Sequence, residues 1–502
     1  MTQTHTQMRK LFGAALVAAG AVTTVSCNAS EIDIPNPNVA SASAVATDPT
    51  ALQLLATGLL VDQRGTRQAF ITNTGTLGRE MYTFTPNEGR NTTHYLIGIT
   101  VGGIQKLDPT GFAVGSWGGE YGTLRDIFNF KNTVNASNAL SAAQKAASLG
   151  FAETLEALMV FQVLQTRDTL GVITEIKENP FDLAPFVTRD SGYKFVLSML
   201  EDAKSKLAAG GAAFPFKLAP GFTASVAGAD FGTPAGYLKF NRALKAKADV
   251  FYASLKPTNA SALWQDALTA LGESFLNAAG TSRSGLDVGV YDTYAPSPDS
   301  PNGLTQATNT TLYAHMSIQA DVQLKASGQP DDRYTAKIRT GLPSRQGPVT
   351  ASGPTSASST LGFSIWPTQS SPIPIIRNEE LILLRAEAKL GTGDKAGAIA
   401  DLNLVRQNSG GLPASSLTAA SSVDQILDGI LYERRYSLLM EGDRWVDMRR
   451  NNRLSQLPLD VSSGPNKNFV AKVMPIPQSE CLNRVKLGGA FIGPNGQDDC
   501  AP

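Results

Sequence analysis

NEELILLRAEAKLGTGDKAGAIADLNLVRQ, residues 378–407, is the stretch that decides the fold. Apolar residues recur at helical spacing from Asn378 to Leu390 and again from Lys395 to Gln407. Gly391-Thr-Gly-Asp394 separates the two runs, and the carboxylate of Asp394 is a natural N-cap for the second helix. Small alanines at contact positions let the two helices approach closely. The segment therefore predicts a helical hairpin of the kind that stacks in tetratricopeptide repeats.

Further helices are predicted along the rest of the chain, several of them in pairs with short links. Their predicted spans are 50–62, 121–134, 141–169, 193–208, 238–255, 263–277 and 423–440. The span 141–169 is apolar on more than one face, which indicates burial between other helices. The predicted fold class is mainly α, a tetratricopeptide-like helical-hairpin scaffold with long loop-rich insertions and few short strands. Because the repeat period is irregular, an unclassified all-α domain is the alternative.

Two long irregular regions interrupt the helices. Residues 65–119 are loop-like and rich in aromatics, and residues 278–374 are rich in Ser, Thr, Pro, Gly and Asn. A loop of such length within a compact domain is often functional, so 278–374 is a candidate ligand surface. The predicted organisation begins with a signal peptide (1–26), a flexible tether (27–47) and an N-terminal helical scaffold (48–277) that contains the loop region 65–119. The insertion (278–374), a C-terminal scaffold (375–457) and a tail (458–502) follow.

The N-terminus has the pattern of an export signal. Arg9 and Lys10 precede an apolar run, Leu11 to Val22, that is too short to span a bilayer. Ser26 and Cys27 follow at the cleavage distance, which favours lipidation of Cys27, although Thr24 stands where a leucine is typical of such sites. The alternative is an ordinary secretory signal that happens to contain a cysteine. No later segment is expected to be long and apolar enough for a transmembrane helix.

The other two cysteines lie near the C-terminus. Export permits a disulfide between Cys481 and Cys500, which would close a loop of roughly twenty residues and stabilise the fold by about 3 kcal/mol. Two free thiols are the alternative.

Composition and motifs exclude several functional classes. Lys plus Arg and Asp plus Glu both number 43, so the balanced charge gives no nucleic-acid footprint. Only three histidines occur, and no Cys or His cluster has the spacing of a metal site, so neither a metal nor a cofactor is predicted. No nucleophile elbow or phosphate-binding loop occurs, and no catalytic residue is assigned.

One charged cluster near the C-terminus could suggest chemistry. One interpretation takes Glu433 and Glu441 as the acid/base pair of a secreted glycoside hydrolase. The alternating signs instead favour a structural charge network, in which paired carboxylates are expected to have depressed pKa values. That network is predicted to contain Glu433, Arg434, Glu441, Arg444, Asp447 and Arg449.

Aromatic residues in the two loop regions are the candidate ligand contacts, because sugars stack on Trp and Tyr rings while polar groups fix their hydroxyls. Core packing is the alternative for each one. The candidates are Tyr82, Arg90, Tyr95, Trp117, Tyr291 and Trp366.

Several of these stretches together resemble the SusD/RagB family. They are the hairpin 378–406, ILYERR at 430–435, EGDRWVDMR at 441–449 and VMPIPQS at 473–479, with weaker similarity at 77–80, Trp117 and Tyr121. The resemblance implies a surface-exposed outer-membrane lipoprotein with a tetratricopeptide-like scaffold. It would cover a TonB-dependent SusC-like transporter and bind an oligosaccharide or peptide without acting as an enzyme.

In that family variable loops form the ligand site, so no site residue carries over by position. The charged motif around 433–449 would belong to the scaffold. A secreted hydrolase and a purely structural helical-repeat adaptor are the alternative functions.

Overall fold

The structure is a computed structural model. It describes residues 51–85, 87–179, 181–297, 299–306, 309–347, 349–350, 353–354 and 357–486. The predicted signal peptide, Cys27, the tether and Cys500 lie outside the described residues.

The described chain is mainly helical, as the sequence predicted. Its helices are Ala51–Leu77 (α1), Arg90–Leu96 (α2), Gly118–Ala136 (α3), Ala142–Arg167 (α4), Arg189–Ala208 (α5), Ala224–Ala227 (α6), Pro234–Ser254 (α7), Ala260–Glu273 (α8), Arg283–Leu286 (α9), Ser317–Ala320 (α10), Asp332–Lys337 (α11), Asn378–Gly391 (α12), Lys395–Asn408 (α13), Val423–Ser437 (α14), Arg444–Arg450 (α15) and Gln478–Lys486 (α16).

The strands are short and pair two by two, all antiparallel. They are Met81–Thr83 (β1), Ile99–Val101 (β2), Ile104–Lys106 (β3), Gly289–Asp292 (β4), Leu312–Ala314 (β5), Ile338–Arg339 (β6), Arg345–Gln346 (β7), Val349–Thr350 (β8), Gly353–Pro354 (β9), Ser358–Ser359 (β10), Gly362–Phe363 (β11) and Ile373–Arg377 (β12).

Successive helices form the predicted hairpin scaffold. Helix α4 packs against α3 and α5, α5 against α7, and α7 against α8, while α12 packs against α8, α13 and α14. The hairpin 378–407 forms as expected, and the Asp394 carboxylate accepts a hydrogen bond from the Gly397 amide at the start of α13. Ser141 and Gln144 form a capping box at the start of α4. The tetratricopeptide-like, mainly α fold is therefore confirmed.

Helix α4 lies at the centre of the largest core. Between residues 150 and 167 only Glu156 is not buried, as its all-round apolar character predicted. By length and composition alone the segment Ala142–Leu170 could cross a membrane, so the expectation that no later segment qualifies was wrong. Within this chain, however, 89% of its most apolar window is buried against other parts of the protein.

Helix α1 extends well beyond its predicted end at Asp62 and takes in residues 65–77 of the region expected to be a loop. The extension is rich in polar residues, which hid its helical periodicity, yet many of them are buried. Thr66 donates a hydrogen bond to the side chain of Gln162, and Arg67 donates to the carbonyl oxygens of Pro374 and Glu441. These tertiary hydrogen bonds, together with the buried side chains of Phe70, Ile71 and Leu77, hold the second half of α1.

The insertion 278–374 packs onto the scaffold through short strand pairs. Its β4 pairs with β12, which leads directly into α12, and its β5 pairs with β1 at the end of α1. Trp366 and Ile338 join a second core with Tyr436 and Leu439 of the C-terminal helices. Strand β11, two residues long, pairs with β6 within the insertion.

The tail holds a helix that the sequence pattern did not predict. Helix α16, residues 478–486, begins just after Pro477, and Cys481 on it is buried. Since Cys500 lies outside the described residues, its pairing with Cys481 stays a prediction.

The charged motif near the C-terminus is ion-paired within the scaffold. Arg434 contacts Asp447 at 2.7 Å, Glu441 contacts Arg377 at 2.8 Å, and Glu433 contacts Arg333 at 2.6 Å and Arg406 at 2.9 Å. The expectation of depressed pKa values was wrong for Glu433, because its burial raises the pKa more than the two arginines lower it.

The remaining predicted members of this cluster have different surroundings. Arg449 donates to the carbonyl oxygen of Gln165 at 2.6 Å and stacks on the ring of Trp445. Burial, together with the nearby Arg435, lowers the pKa of Arg444 to about 10.

Candidate functional site

The outer face of α1 carries a groove that consists of two adjoining cavities. The first has a volume of about 770 Å³ and the second about 540 Å³. Val61 and Arg64 line both cavities, so their side chains stand at the junction. We call this feature the α1 groove. Each cavity by itself is in the size range of sites that take small-molecule ligands.

The first cavity lies between α1, the start of α3 and the insertion. Trp117 and residues 114–116 form one wall, Tyr294 and Ser300 of the insertion form another, and Pro477 and Ser479 close one end. Both loop-rich regions singled out in the sequence, 65–119 and 278–374, therefore contribute to one cavity.

A fully buried arginine holds the wall formed by residues 114–116. The guanidinium of Arg167 donates to the carbonyl oxygens of Val114, Gly115 and Ser116 at 2.7 to 2.9 Å. The same guanidinium lies over the Trp117 ring, 5.1 Å from its centroid. Burial lowers the pKa of Arg167 to about 10. Because one rigid side chain organises the turn, Trp117 enters the cavity at a fixed position.

Three glycines make the groove open. Gly65 of α1 and Gly118 and Gly122 of α3 all line the first cavity. A Cβ atom added at any of the three would have no neighbouring atom within 4 Å, so close packing does not require glycine there. Glycine within a helix costs about 0.5–1 kcal/mol relative to alanine. What glycine provides at these positions is the space above the helix backbone.

Carboxyl groups dominate the charge of the first cavity. Asp62 of α1 and Glu120 and Asp126 of α3 line it. Burial raises the pKa of Glu120 to about 7. Burial also raises the pKa of Asp62, and the nearby charge of Asp126 raises it further. The two aspartates are therefore close enough to repel each other.

Arg64 joins the insertion to α1 at the junction of the two cavities. Its guanidinium contacts both carboxylate oxygens of Asp299, at 2.5 and 2.7 Å, and the carbonyl oxygen of Thr293 at 2.5 Å. It also lies 5.3 Å from the centroid of the Tyr294 ring. These contacts fix Thr293 and Asp299 against α1, and the Asp299 carboxylate balances the charge of Arg64.

The second cavity is lined by α1, residues 217–222 and β4. Tyr291 and Asp292 of β4 reach it, and burial raises the pKa of Asp292 to about 7. The Tyr291 hydroxyl donates to the carbonyl oxygen of Asp287, which fixes its ring.

The structure places the predicted ligand contacts in different surroundings. Trp117 lines the first cavity, and Tyr291 lines the second. Trp366 lines a separate cavity of about 600 Å³, which Tyr291 also reaches. The three residues do not meet in one site, and their roles in ligand binding stay predictions.

The other three candidates lie outside the groove. Tyr82 is 1% exposed and donates to Asp460, and Tyr95 is 7% exposed and donates to Asn73, so both rings are buried away from the groove. Trp117, which is 6% exposed, is equally buried but lies at the wall of the first cavity. Arg90 is at the surface, paired with Glu88 and stacked 4.6 Å from the centroid of Phe112.

Sequence reasoning missed most of the groove. Gly65, Glu120 and Gly122 gave no recognisable motif, and Asp62 was taken as the end of a helix. One usable signal was the density of glycine in 115–122, at the start of a predicted helix. Within the described part of the chain, no three His, Cys, Asp or Glu side chains are placed to hold a metal ion.

Comparisons with known proteins support one family. Residues 294–483 match the model of the SusD family. SusD-like protein P38 of Formosa agariphila is 36% identical over 88 residues, a segment that covers 16% of this chain and 17% of that relative. The alignment thus spans about a sixth of the curated relative's length.

Solved structures share the fold. A SusD-like protein of Bacteroides fragilis superposes with a TM-score of 0.61 at 15% identity, covering 90% of this chain and 97% of its own. A SusD superfamily protein of Bacteroides vulgatus gives 0.62 at 14% identity, covering 87% and 97%. A laminarin-binding SusD-like protein gives 0.52 at 16% identity, covering 85% and 97%.

The α1 groove lies on a helical-hairpin scaffold, between α1, α3 and a loop-rich insertion. Residues 294–483 of the chain match the SusD family, and the fold is that of SusD-like proteins. Members of this family are substrate-binding proteins and outer-membrane-associated lipoproteins.

Proposed function

We propose that this protein captures an oligosaccharide, or in the alternative a peptide, in the α1 groove and delivers it to a TonB-dependent SusC-like transporter. Cys27 would carry the lipid that holds the protein at the outer surface of the outer membrane. The match to the SusD family supports this role, and a structural neighbour that binds laminarin indicates that the fold can take a glycan.

The observation that carries the proposal is the composition of the groove. It combines Trp117 and Tyr294, which are 6% and 5% exposed and so present only a small part of each ring, with the hydroxyl groups of Ser116, Thr123 and Ser300. Rings suit the apolar faces of sugars, and hydroxyl groups suit their hydrogen-bonding edges. The helical glycines leave the space that a chain of sugar rings needs.

We propose further that the protein binds without catalysis. The hydrolase alternative requires Glu433 and Glu441 to flank a substrate bond. Glu433 is 1% exposed and paired with two arginines, and Glu441 is paired with Arg377. Each glutamate therefore serves a different ion pair in the scaffold, and Glu433 offers no accessible carboxyl to a substrate. The expected result for Glu441→Gln is lost thermal stability in a protein with no hydrolytic activity to lose.

Calorimetry on the soluble form that begins at Asn28, which contains every described residue, tests the binding proposal. The titrants are a panel of neutral, acidic and amino oligosaccharides and a panel of short peptides. We expect one glycan class to bind. If no titrant binds, and no transporter co-purifies with the lipidated protein from its native membrane, the proposal fails.

The insertion gives a second test. Gly303 donates its amide to the side chain of Gln68 on α1, and Arg64 pairs with Asp299, so the insertion is held to α1 beside the groove. Asp299→Asn weakens the Arg64 contact without removing a core residue. We expect weaker ligand binding, whereas a structural adaptor would bind its partner unchanged.

A further inference from the structure

The lining of the first cavity of the α1 groove carries more carboxyl groups than cations. Three carboxyl groups line it, those of Asp62, Glu120 and Asp126. The cation among its lining residues, Arg64, is already held in a bidentate pair by Asp299. Since the whole chain has a formal net charge of zero, this excess is local to the cavity.

Glu120 adds an observation that points to a ligand. Its side chain is 1% exposed, and its Oε1 atom has no hydrogen-bond donor among the described residues. The nearest cation that acts on it is Arg167, whose terminal nitrogens already donate to the carbonyl oxygens of residues 114–116. A buried carboxylate oxygen without a donor is costly, so a donor from a bound ligand would be strongly favoured.

The chemistry of that donor follows from the three carboxyl groups together. A hydroxyl group could satisfy Glu120, but it would leave the repulsion between Asp62 and Asp126 in place. A primary ammonium group supplies several donors and a positive charge at once. An acidic sugar would be repelled. The hydroxyl groups of Ser116, Thr123 and Ser300 around the same cavity suit the ring hydroxyls of a sugar better than the regular amides of a peptide.

We propose that the α1 groove selects oligosaccharides that carry free amino groups, with Glu120, Asp62 and Asp126 as the residues that determine this specificity. This inference rests on the proposed function, because it names the substrate class of the same groove.

The test compares two ligands that differ only in the amine. Calorimetry of the soluble form that begins at Asn28 uses chitosan tetraose, whose sugars carry free amines, and the fully N-acetylated tetraose of the same linkage. We expect the amine form to bind at least about tenfold more tightly, the effect of one charge-assisted hydrogen bond. A tetraalanine peptide with a free or an acetylated N-terminus is the second pair.

Variants assign the effect to the groove. Glu120→Gln keeps the shape of the side chain and removes its charge, and Asp62→Asn with Asp126→Asn changes two exposed groups. Both should reduce the preference for the amine, measured as the ratio of the two tetraose affinities, by about tenfold. The double variant Asp202→Asn with Asp266→Asn makes the same change in net charge on the exposed faces of α5 and α8, and should leave the preference intact.

Each outcome decides the question. If both tetraoses bind equally, or the acetylated one binds better, the inference is overturned while glycan capture stands. Selectivity for the free-amine peptide alone would also overturn it. If the control variant loses the preference as fully as Glu120→Gln does, the attraction is general and the assignment to the groove is wrong. If neither tetraose binds and the wider panels give no ligand, the proposed function itself fails.

Discussion

Gly122 gives the sharpest test of the groove. It lies in the interior of α3, lines the first cavity, and has no atom within 4 Å of the position that a Cβ would take. Replacing it with alanine removes the conformational cost of glycine in a helix without a clash. The free energy of unfolding should therefore rise by up to about 1 kcal/mol.

A tryptophan at the same position separates folding from binding. Gly122→Trp keeps the helix and sends a large ring into the cavity of about 770 Å³. We expect the free energy of unfolding to stay within about 1 kcal/mol of wild type, because helix propensity improves while the ring gains little burial. Ligand affinity should fall by more than tenfold, because the ring takes the space that the ligand needs.

The assays are urea unfolding followed by far-UV circular dichroism, and calorimetry with whichever glycan binds the wild type. Gly272→Trp is the matched control: Gly272 lies on α8, outside the groove, and its Cβ position is also open. It should leave binding unchanged. If Gly122→Trp binds as tightly as wild type, the groove is not the ligand site. If Gly122→Ala is less stable than wild type, the argument from open space is wrong.

Three further predictions concern stability. Lys247 contacts Glu380 at 2.8 Å and Asp443 at 2.9 Å in the core. Lys247→Met leaves both carboxylates without this partner and should lower the free energy of unfolding by about 3–5 kcal/mol. Lys204→Met breaks the more exposed pair with Glu273 and should lower it by less than about 1 kcal/mol in the same urea titration. Burial raises the pKa of Glu80 from 4.5 to about 8, so the protonated carboxyl favours the folded state. The free energy of unfolding should therefore fall as pH rises from 4.5 to about 8. Glu80→Gln should flatten that slope in urea titrations across the range, and an unchanged slope would contradict the assignment. If Cys481 and Cys500 form a disulfide, Cys481→Ser and Cys500→Ser should each lower the free energy of unfolding by about 3 kcal/mol, and the double variant by no more than either one. Two free thiols in a mass-spectrometric alkylation assay of the oxidised protein would contradict the disulfide.

Periodicity was a good guide wherever a helix buries an apolar stripe. The hairpin α12–α13 and the central helix α4 were predicted close to their observed bounds, because their burial can be read from the spacing of Leu, Ala and Phe. It failed for the second half of α1 and for α16. In α1 the buried residues include Gln63, Arg67 and Asn73, whose partners lie far away in the sequence.

The candidate site was predictable only in outline. The two loop-rich regions were identified as the ligand surface, and both do line the α1 groove, but of the six residues singled out only Trp117 and Tyr291 reach it. Tyr82 and Tyr95 carry the same chemistry and lie in the core. Ring type alone cannot distinguish these cases, because the position of each ring relative to the groove depends on how the rest of the fold packs.

The sequence by itself determined the helical-hairpin scaffold and the family, because helix spacing, capping residues and the motifs at 378–406, 430–449 and 473–479 are local patterns. Only the tertiary structure decided where a ligand could enter. The first cavity is lined by residues up to about 230 positions apart in the sequence: Asp62 and Gly65 on α1, Glu120 and Gly122 on α3, and Tyr294 in the insertion. They come together because α1 packs against α3 and because Arg64 contacts Asp299. Local sequence encodes each element's own conformation, whereas a cavity between elements exists only after they pack.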